Sequence, residues 1–173
     1  MFSFNFVNKH VDNPVEEDQK DEIYETTPLH TAVCNGHEKI VESLLLDGAK
    51  IEAKDHDERT PLFLAVKYNK MKIVELLLKH GANVNTTPLH LAIDQKFKHI
   101  AEVLLLNGAN INAKNCMGLT PIHLATEANN IEMVNFLIKK KANINETAHY
   151  GYHATSLHIA ASFGFESMAK LLI

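Results

Sequence analysis

Thr27-Pro28-Leu29-His30 opens a pattern that returns four times: Thr60-Pro61-Leu62-Phe63, Thr87-Pro88-Leu89-His90, Thr120-Pro121-Ile122-His123 and Thr155-Ser156-Leu157-His158. The five threonines are separated by 33, 27, 33 and 35 residues. A fixed period of this size means that one supersecondary unit is copied along the chain. Each copy of the tetrapeptide reads as a helix start. The Thr hydroxyl accepts from free N–H groups of the first turn, and Pro sits where its missing N–H costs nothing. Leu or Ile follows, and then an alanine (Ala32, Ala65, Ala92, Ala125 or Ala160). Together they give a narrow apolar stripe that lets neighbouring helices approach closely. The first helix of each unit is predicted to stop near Gly36, Asn69, Lys96, Asn129 and Gly164. Gly and Asn tolerate the left-handed conformation that ends helices, and Lys does so less well.

A second helix is predicted in each unit from apolar residues three and four apart. These are Ile40, Val41, Leu44 and Leu45; Ile73, Val74, Leu77 and Leu78; Ile100, Val103 and Leu104; and Ile131, Val134, Leu137 and Ile138. It ends at Gly48, Gly81, Gly108 and Lys141, where Lys in place of Gly carries a penalty of roughly 1 kcal/mol. A short extended stretch follows, seen in Ala82-Asn83-Val84-Asn85 and Ala109-Asn110-Ile111-Asn112. It reads as the arm of a turn or hairpin, a finger. Helices this short are unstable alone, so stability must come from stacking the units into one core.

The tetrapeptide, the Gly-Ala-Asn-Ile-Asn segment and the period together resemble the ankyrin-repeat family over residues 22–173. The resemblance implies an all-α solenoid of stacked helix-turn-helix units with short hairpin fingers. About five repeats are delimited: 27–59, 60–86 with a shortened finger, 87–119, 120–154 with an insertion, and an incomplete 155–173. Residues 1–21 are expected to be a capping or tail segment. In it Phe2, Phe4 and Phe6 alternate ahead of the acidic run Glu16-Glu17-Asp18-Gln19-Lys20-Asp21-Glu22. A capping element, a degenerate half-repeat around Phe4 to Asn8, and a binding tail are the alternatives, in that order.

Composition narrows the function. The chain has 173 residues, 46% of them hydrophobic, and a net charge of −4. No basic block offers nucleic acid an electrostatic footprint; Lys139-Lys140-Lys141 reads as a solvated helix end that suits the dipole. Two cysteines, Cys34 and Cys116, imply no disulfide framework and favour a reducing, intracellular compartment. No apolar run approaches the length of a membrane helix, and Met1 to Val7 makes a poor signal peptide.

Two units break the spacing. Regular units place seven residues between the finger Asn and the next motif Thr, but only Thr86 lies between Asn85 and Thr87. Either this finger is truncated, or a flexible finger is missing from the sequence; the regular flanks favour the second. The fourth unit carries two extra residues around Tyr150-Gly151-Tyr152-His153. The chain ends at Leu171-Leu172-Ile173, in the middle of a second helix, with no polar cap. That end suggests a longer chain or a disordered terminus.

No catalytic residue, metal site or cofactor is expected. Eleven histidines are present, but His30, His90, His123 and His158 belong to stacked helices about 8–10 Å apart. Zinc holds its nitrogens at about 2.0–2.1 Å, so successive units cannot share one ion. In the family this His makes hydrogen bonds within and between units, which Phe63 in unit two must lose. No glycine-rich phosphate loop, metal-spaced Cys/His cluster or nucleophile elbow occurs. Glu38, Lys72 and Glu132 read as solvated. Asn85, Asn112 and Asn145 stand where family members can be hydroxylated, although a structural turn role is the simpler reading.

The resemblance implies a non-catalytic module that binds a protein on the concave face made by finger tips and first helices. Carried over by position, the partner-binding candidates are Tyr68, Met117, Leu119, His149, Tyr150, Tyr152 and Phe163. Most lie in the last units, apolar or aromatic where solvent is expected, as interface hot spots are. A monomer that binds a protein, and neither nucleic acid nor membrane, is the expectation. The alternative is the recognition domain of a longer protein: a ubiquitin-ligase adaptor, a secreted bacterial or viral effector, or an enzyme whose catalytic domain lies beyond Ile173. Richness in Asn, Lys and Ile is compatible with an AT-rich microbial genome, in which case the host cell is the compartment.

Overall fold

The computed structural model describes residues 26–84, 87–148 and 153–173. Among the described residues there are ten α-helices and no strand. The inner helices are α1 (Pro28–Asn35), α3 (Pro61–Lys67), α5 (Pro88–Asp94), α7 (Pro121–Glu127) and α9 (Ser156–Ser162). The outer helices are α2 (Glu38–Leu46), α4 (Met71–Lys79), α6 (Lys98–Leu106), α8 (Ile131–Lys139) and α10 (Glu166–Leu171). Each inner helix packs on its outer partner and on the next inner helix along the stack. The predicted stops hold. Gly36, Asn69, Lys96, Asn129 and Gly164 all take positive φ, as do Gly48, Gly81, Gly108 and Lys141. Lys96 at 62° and Lys141 at 71° accept the strain of a non-glycine left-handed residue because the rest of the cap demands it.

One continuous core runs through the stack, from Leu29 and Val33 through Leu62, Val74, Leu77, Leu89, Ile93 and Leu104 to Val134 and Leu137. Two residues assigned to the buried faces lie outside it. Ile40 and Ile131 are exposed. In α8 the core positions belong to Met133 and Phe136. The Phe136 ring lies between the ammonium groups of Lys98 and Lys140, at 5.9 and 5.8 Å. Those lysines also pair across the α6–α8 boundary, Lys98 with Glu132 at 2.8 Å and Lys140 with Glu102 at 2.9 Å. Glu132 and Lys140 are therefore ties between units three and four rather than purely solvated groups.

In units one, three and four the motif histidine joins the inner helix to its own finger. Thr27 N–H donates to His30 Nδ1 at 3.2 Å, and His30 Nε2 lies 3.1 Å from Ala53 O and 3.0 Å from Arg59 O. In unit four, Thr120 N–H donates to His123 Nδ1 at 3.1 Å and His123 Nε2 donates to Glu146 O at 3.0 Å. An Nδ1 that accepts and an Nε2 that donates define a neutral imidazole. These bonds run within a unit; the expected inter-unit bonds are carried by the fingers instead.

Thr87 departs from the expected cap. Its backbone is helical (φ −65°, ψ −18°) and its side chain makes no capping bond, whereas Thr27, Thr60, Thr120 and Thr155 are extended. His90 Nδ1 is buried without a partner among the described residues. Ser156, which replaces the usual Pro, likewise leaves its buried hydroxyl without a partner among the described residues.

Burial holds both His90 and His123 below their ordinary value of 6.5, against carbonyl bonds that pull them up. Both are neutral in the fold and take up a proton on unfolding below 6.5. Stability is therefore fully present above about pH 6.5 and falls as pH drops towards their depressed values. The slope approaches 1.4 kcal/mol per pH unit for each group. Urea midpoints taken from pH 7.5 to 5.0 are expected to fall below 6.5, and His123→Gln is expected to flatten the decline. A midpoint independent of pH across that window contradicts the assignment.

Candidate functional site

The fingers are tight turns rather than strands. In the first, Asp55 N–H donates to Arg59 O at 3.1 Å and Glu58 N–H to Asp55 O at 2.9 Å. Asp55 Oδ1 accepts the Asp57 and Arg59 N–H groups, and its Oδ2 takes the Arg59 guanidinium at 2.7 Å. Burial pushes the Asp55 carboxyl up, but the Arg59 guanidinium and these N–H groups outweigh it and hold the pKa below the usual value. The third finger repeats the device with a neutral residue: Asn115 Oδ1 accepts from Met117 and Leu119 at 3.0 and 2.9 Å. In the fourth, Ala148 N–H donates to Ala154 O at 2.9 Å.

One residue in each turn is left-handed: Glu58, Gly118 and His153. Counted from the motif threonine, His153 falls two places later than the other two. The extra residues of the fourth finger therefore enter between Ala148 and His153.

Adjacent fingers are joined side by side. Glu52 Oε1 accepts Asn83 N–H at 2.9 Å, and Asn112 Oδ1 accepts Asn143 N–H at 2.9 Å. Lys114 Nζ donates to Thr147 O at 3.0 Å and lies 3.5 Å from the Glu146 carboxylate. Lys54 and Lys114 occupy the same place in their units, a correspondence visible in the sequence.

Threonine-led units, left-handed caps and finger bonds recur together down the stack. The family model for ankyrin repeats (three copies) matches residues 3–88, 29–115 and 89–173. The chain belongs to the ankyrin-repeat family. No curated protein matches it significantly. Ankyrin repeats are generally protein–protein interaction modules, and proteins built from them are typically non-catalytic. Among the described residues no group of three or more His, Cys, Asp or Glu side chains could hold a metal ion. No described helix is long and apolar enough to cross a membrane.

Within this ankyrin stack the candidate residues separate. Tyr68 and Phe163 stand eight places after their motif threonines, at the C-caps of α3 and α9, and are 45% and 60% exposed. The same position holds Asn35, Gln95 and Ala128 in the other units, all exposed. Lys67 Nζ lies 5.7 Å from the Tyr68 ring centre, and Phe163 stacks on Phe165 at 5.4 Å. Met117, at the third finger's turn, is 51% exposed.

Leu119 corrects the sequence expectation: it is only 2% exposed. The Asn115 bonds close the turn so that position 119 faces the stack, and its carbonyl accepts His90 Nε2 at 3.1 Å. It supports the finger from beneath and offers nothing to a partner. His149, Tyr150 and Tyr152 lie outside the described residues, as do residues 1–25 and the Asn85-Thr86 junction.

Proposed function

We propose that this protein binds a partner protein through the line formed by its inner-helix ends and finger turns. The observation that carries the reading is the exposure of Tyr68, Met117 and Phe163, large apolar side chains outside the core in a family of interaction modules. Aromatic side chains lose little conformational entropy on binding and bury large areas, which is why they anchor interfaces. Tyr150, Tyr152 and His149 are kept as candidates from their place in the repeat register of the sequence alone. The same reading takes the protein as a monomer in a reducing, intracellular compartment. Cys34 and Cys116 are both free thiols, which supports that compartment.

The test is affinity capture from cell extract followed by titration of the captured partner. Tyr68→Ala, Phe163→Ala and the Tyr150→Ala/Tyr152→Ala pair are each expected to weaken binding about tenfold or more, corresponding to well over 1 kcal/mol. Far-ultraviolet circular dichroism is expected to stay unchanged. Retained affinity in all three variants would place the interface elsewhere.

A further inference from the structure

Unit one shows apolar side chains where every later unit hides them. Thirteen places after the motif threonine, Ile73, Ile100, Met133 and Met168 are at most 2% exposed, whereas Ile40 is 51% exposed. Seventeen places after it, Leu77, Leu104 and Leu137 are wholly buried, whereas Leu44 is only half-buried. Pro28 is exposed where Pro61, Pro88 and Pro121 are buried. These rows are covered from the preceding unit, because the fifth unit, with no described unit after it, still buries Met168 and Leu172. We infer that the chain's own N-terminal segment, residues 2–11, covers this side of unit one, with its phenylalanines and valines against Pro28, Ile40 and Leu44. The inference is independent of the proposed protein-binding function.

Composition and chain length fit this segment to that side. Phe2, Phe4, Phe6, Val7 and Val11 are large apolar side chains that gain free energy on leaving water, and the acidic run Glu16 to Glu22 that follows them is too charged to be buried unpaired. Residues 4–11 precede Thr27 by 23 to 16 places, the interval by which 37–44 precede Thr60 and 97–104 precede Thr120. In those two units that length carries the chain from the first turns of α2 and α6 to the next motif threonine. The same length therefore reaches from Thr27 back to the level of α2. The family match opens at residue 3, so the ankyrin pattern itself extends over this segment.

Tethering decides between this occupant and one from outside. The segment is joined to the chain at Thr27, next to the exposed Pro28. A tethered segment acts on a neighbouring face at an effective concentration on the order of millimolar. A second copy of the chain or a free partner must exceed that to take the same face. Of the three readings of residues 1–21, the capping element thereby acquires a contact surface: the backward rows of α1 and α2. The core that runs from Leu29 to Leu137 is closed at its first unit by residues the same chain supplies.

The test uses the whole chain. One variant carries Phe2→Ser, Phe4→Ser, Phe6→Ser, Val7→Ser and Val11→Ser together, a second carries Ile40→Ser, and a third combines them. Circular dichroism establishes that each folds. The five-serine variant is expected to speed amide exchange in α2 at least tenfold and to leave α6 unchanged. Ile40→Ser is expected to give part of the same acceleration, and the combination to add little to the five-serine variant, because both remove one contact. Light scattering is expected to give a monomer for the parent chain. Unchanged α2 exchange in the five-serine variant, or fully additive effects with Ile40→Ser, would overturn the cover. A dimer that Ile40→Ser dissociates would overturn it too, since a second copy would then hold the face. Loss of the captured partner in the five-serine variant, with α2 exchange unchanged, would make residues 2–11 a binding tail instead.

Discussion

His123→Ala is expected to lower the unfolding free energy by about 4 kcal/mol. The imidazole is fully buried. Its Nδ1 meets the Thr120 N–H at 3.1 Å and the Thr120 hydroxyl at 2.8 Å, and its Nε2 reaches Glu146 O at 3.0 Å. Each bond contributes about 1 kcal/mol net, and the abandoned partners and the void add to the loss. Because the ring ties α7 to its finger, the exchange of amides in 143–148 is expected to accelerate more than that of α8. His158→Ala provides the internal comparison. That histidine is exposed, and among the described residues its hydrogen bonds are with Thr155, at 2.8 Å from the hydroxyl, so about 1 kcal/mol is expected. Equal losses in urea unfolding for the two variants would show that the imidazole's contact with its finger contributes nothing.

Leu104→Ala carries the second large effect, about 3 kcal/mol or more. Leu104 is wholly buried in α6, at the centre of the stack, with no exposed surface. Truncation removes transfer energy and leaves a cavity that short packed helices fill poorly. Units in a linear array are stabilised only by their neighbours, so a defect in unit three is expected to separate the unfolding of units one and two from that of four and five. A broadened urea transition with a lower slope is the signature. Leu106, two residues along the same helix, is 74% exposed, and its replacement with Ala is expected to stay within about 0.5 kcal/mol. Comparable losses at both positions would contradict the burial pattern.

Much of this was legible because repeats print their local chemistry many times. The left-handed residues Asn69, Lys96, Asn129 and Lys141 were locatable by counting from the motif threonine, since a helix end is a local event. Tyr68, Met117 and Phe163 were expected at the surface and are found there. Leu119 was not legible, because the inward side of a turn depends on the Asn115 bonds that close it. Nor was the role of Lys140, whose ion-pair partner Glu102 comes from the neighbouring helix α6. Thr87 carries the right residue for a cap, yet its backbone is helical and its side chain makes no capping bond.

The sequence by itself determined the period, the helix starts and stops, the role of the motif histidines as scaffold, and the place where six residues are absent. Each depends on contacts within a turn or two of chain, and those are encoded in adjacent residue types. Only the tertiary structure decided which finger residues face the stack and which lysines bridge units. Those outcomes depend on neighbours about 30 residues apart, brought side by side by stacking, and no local pattern records them.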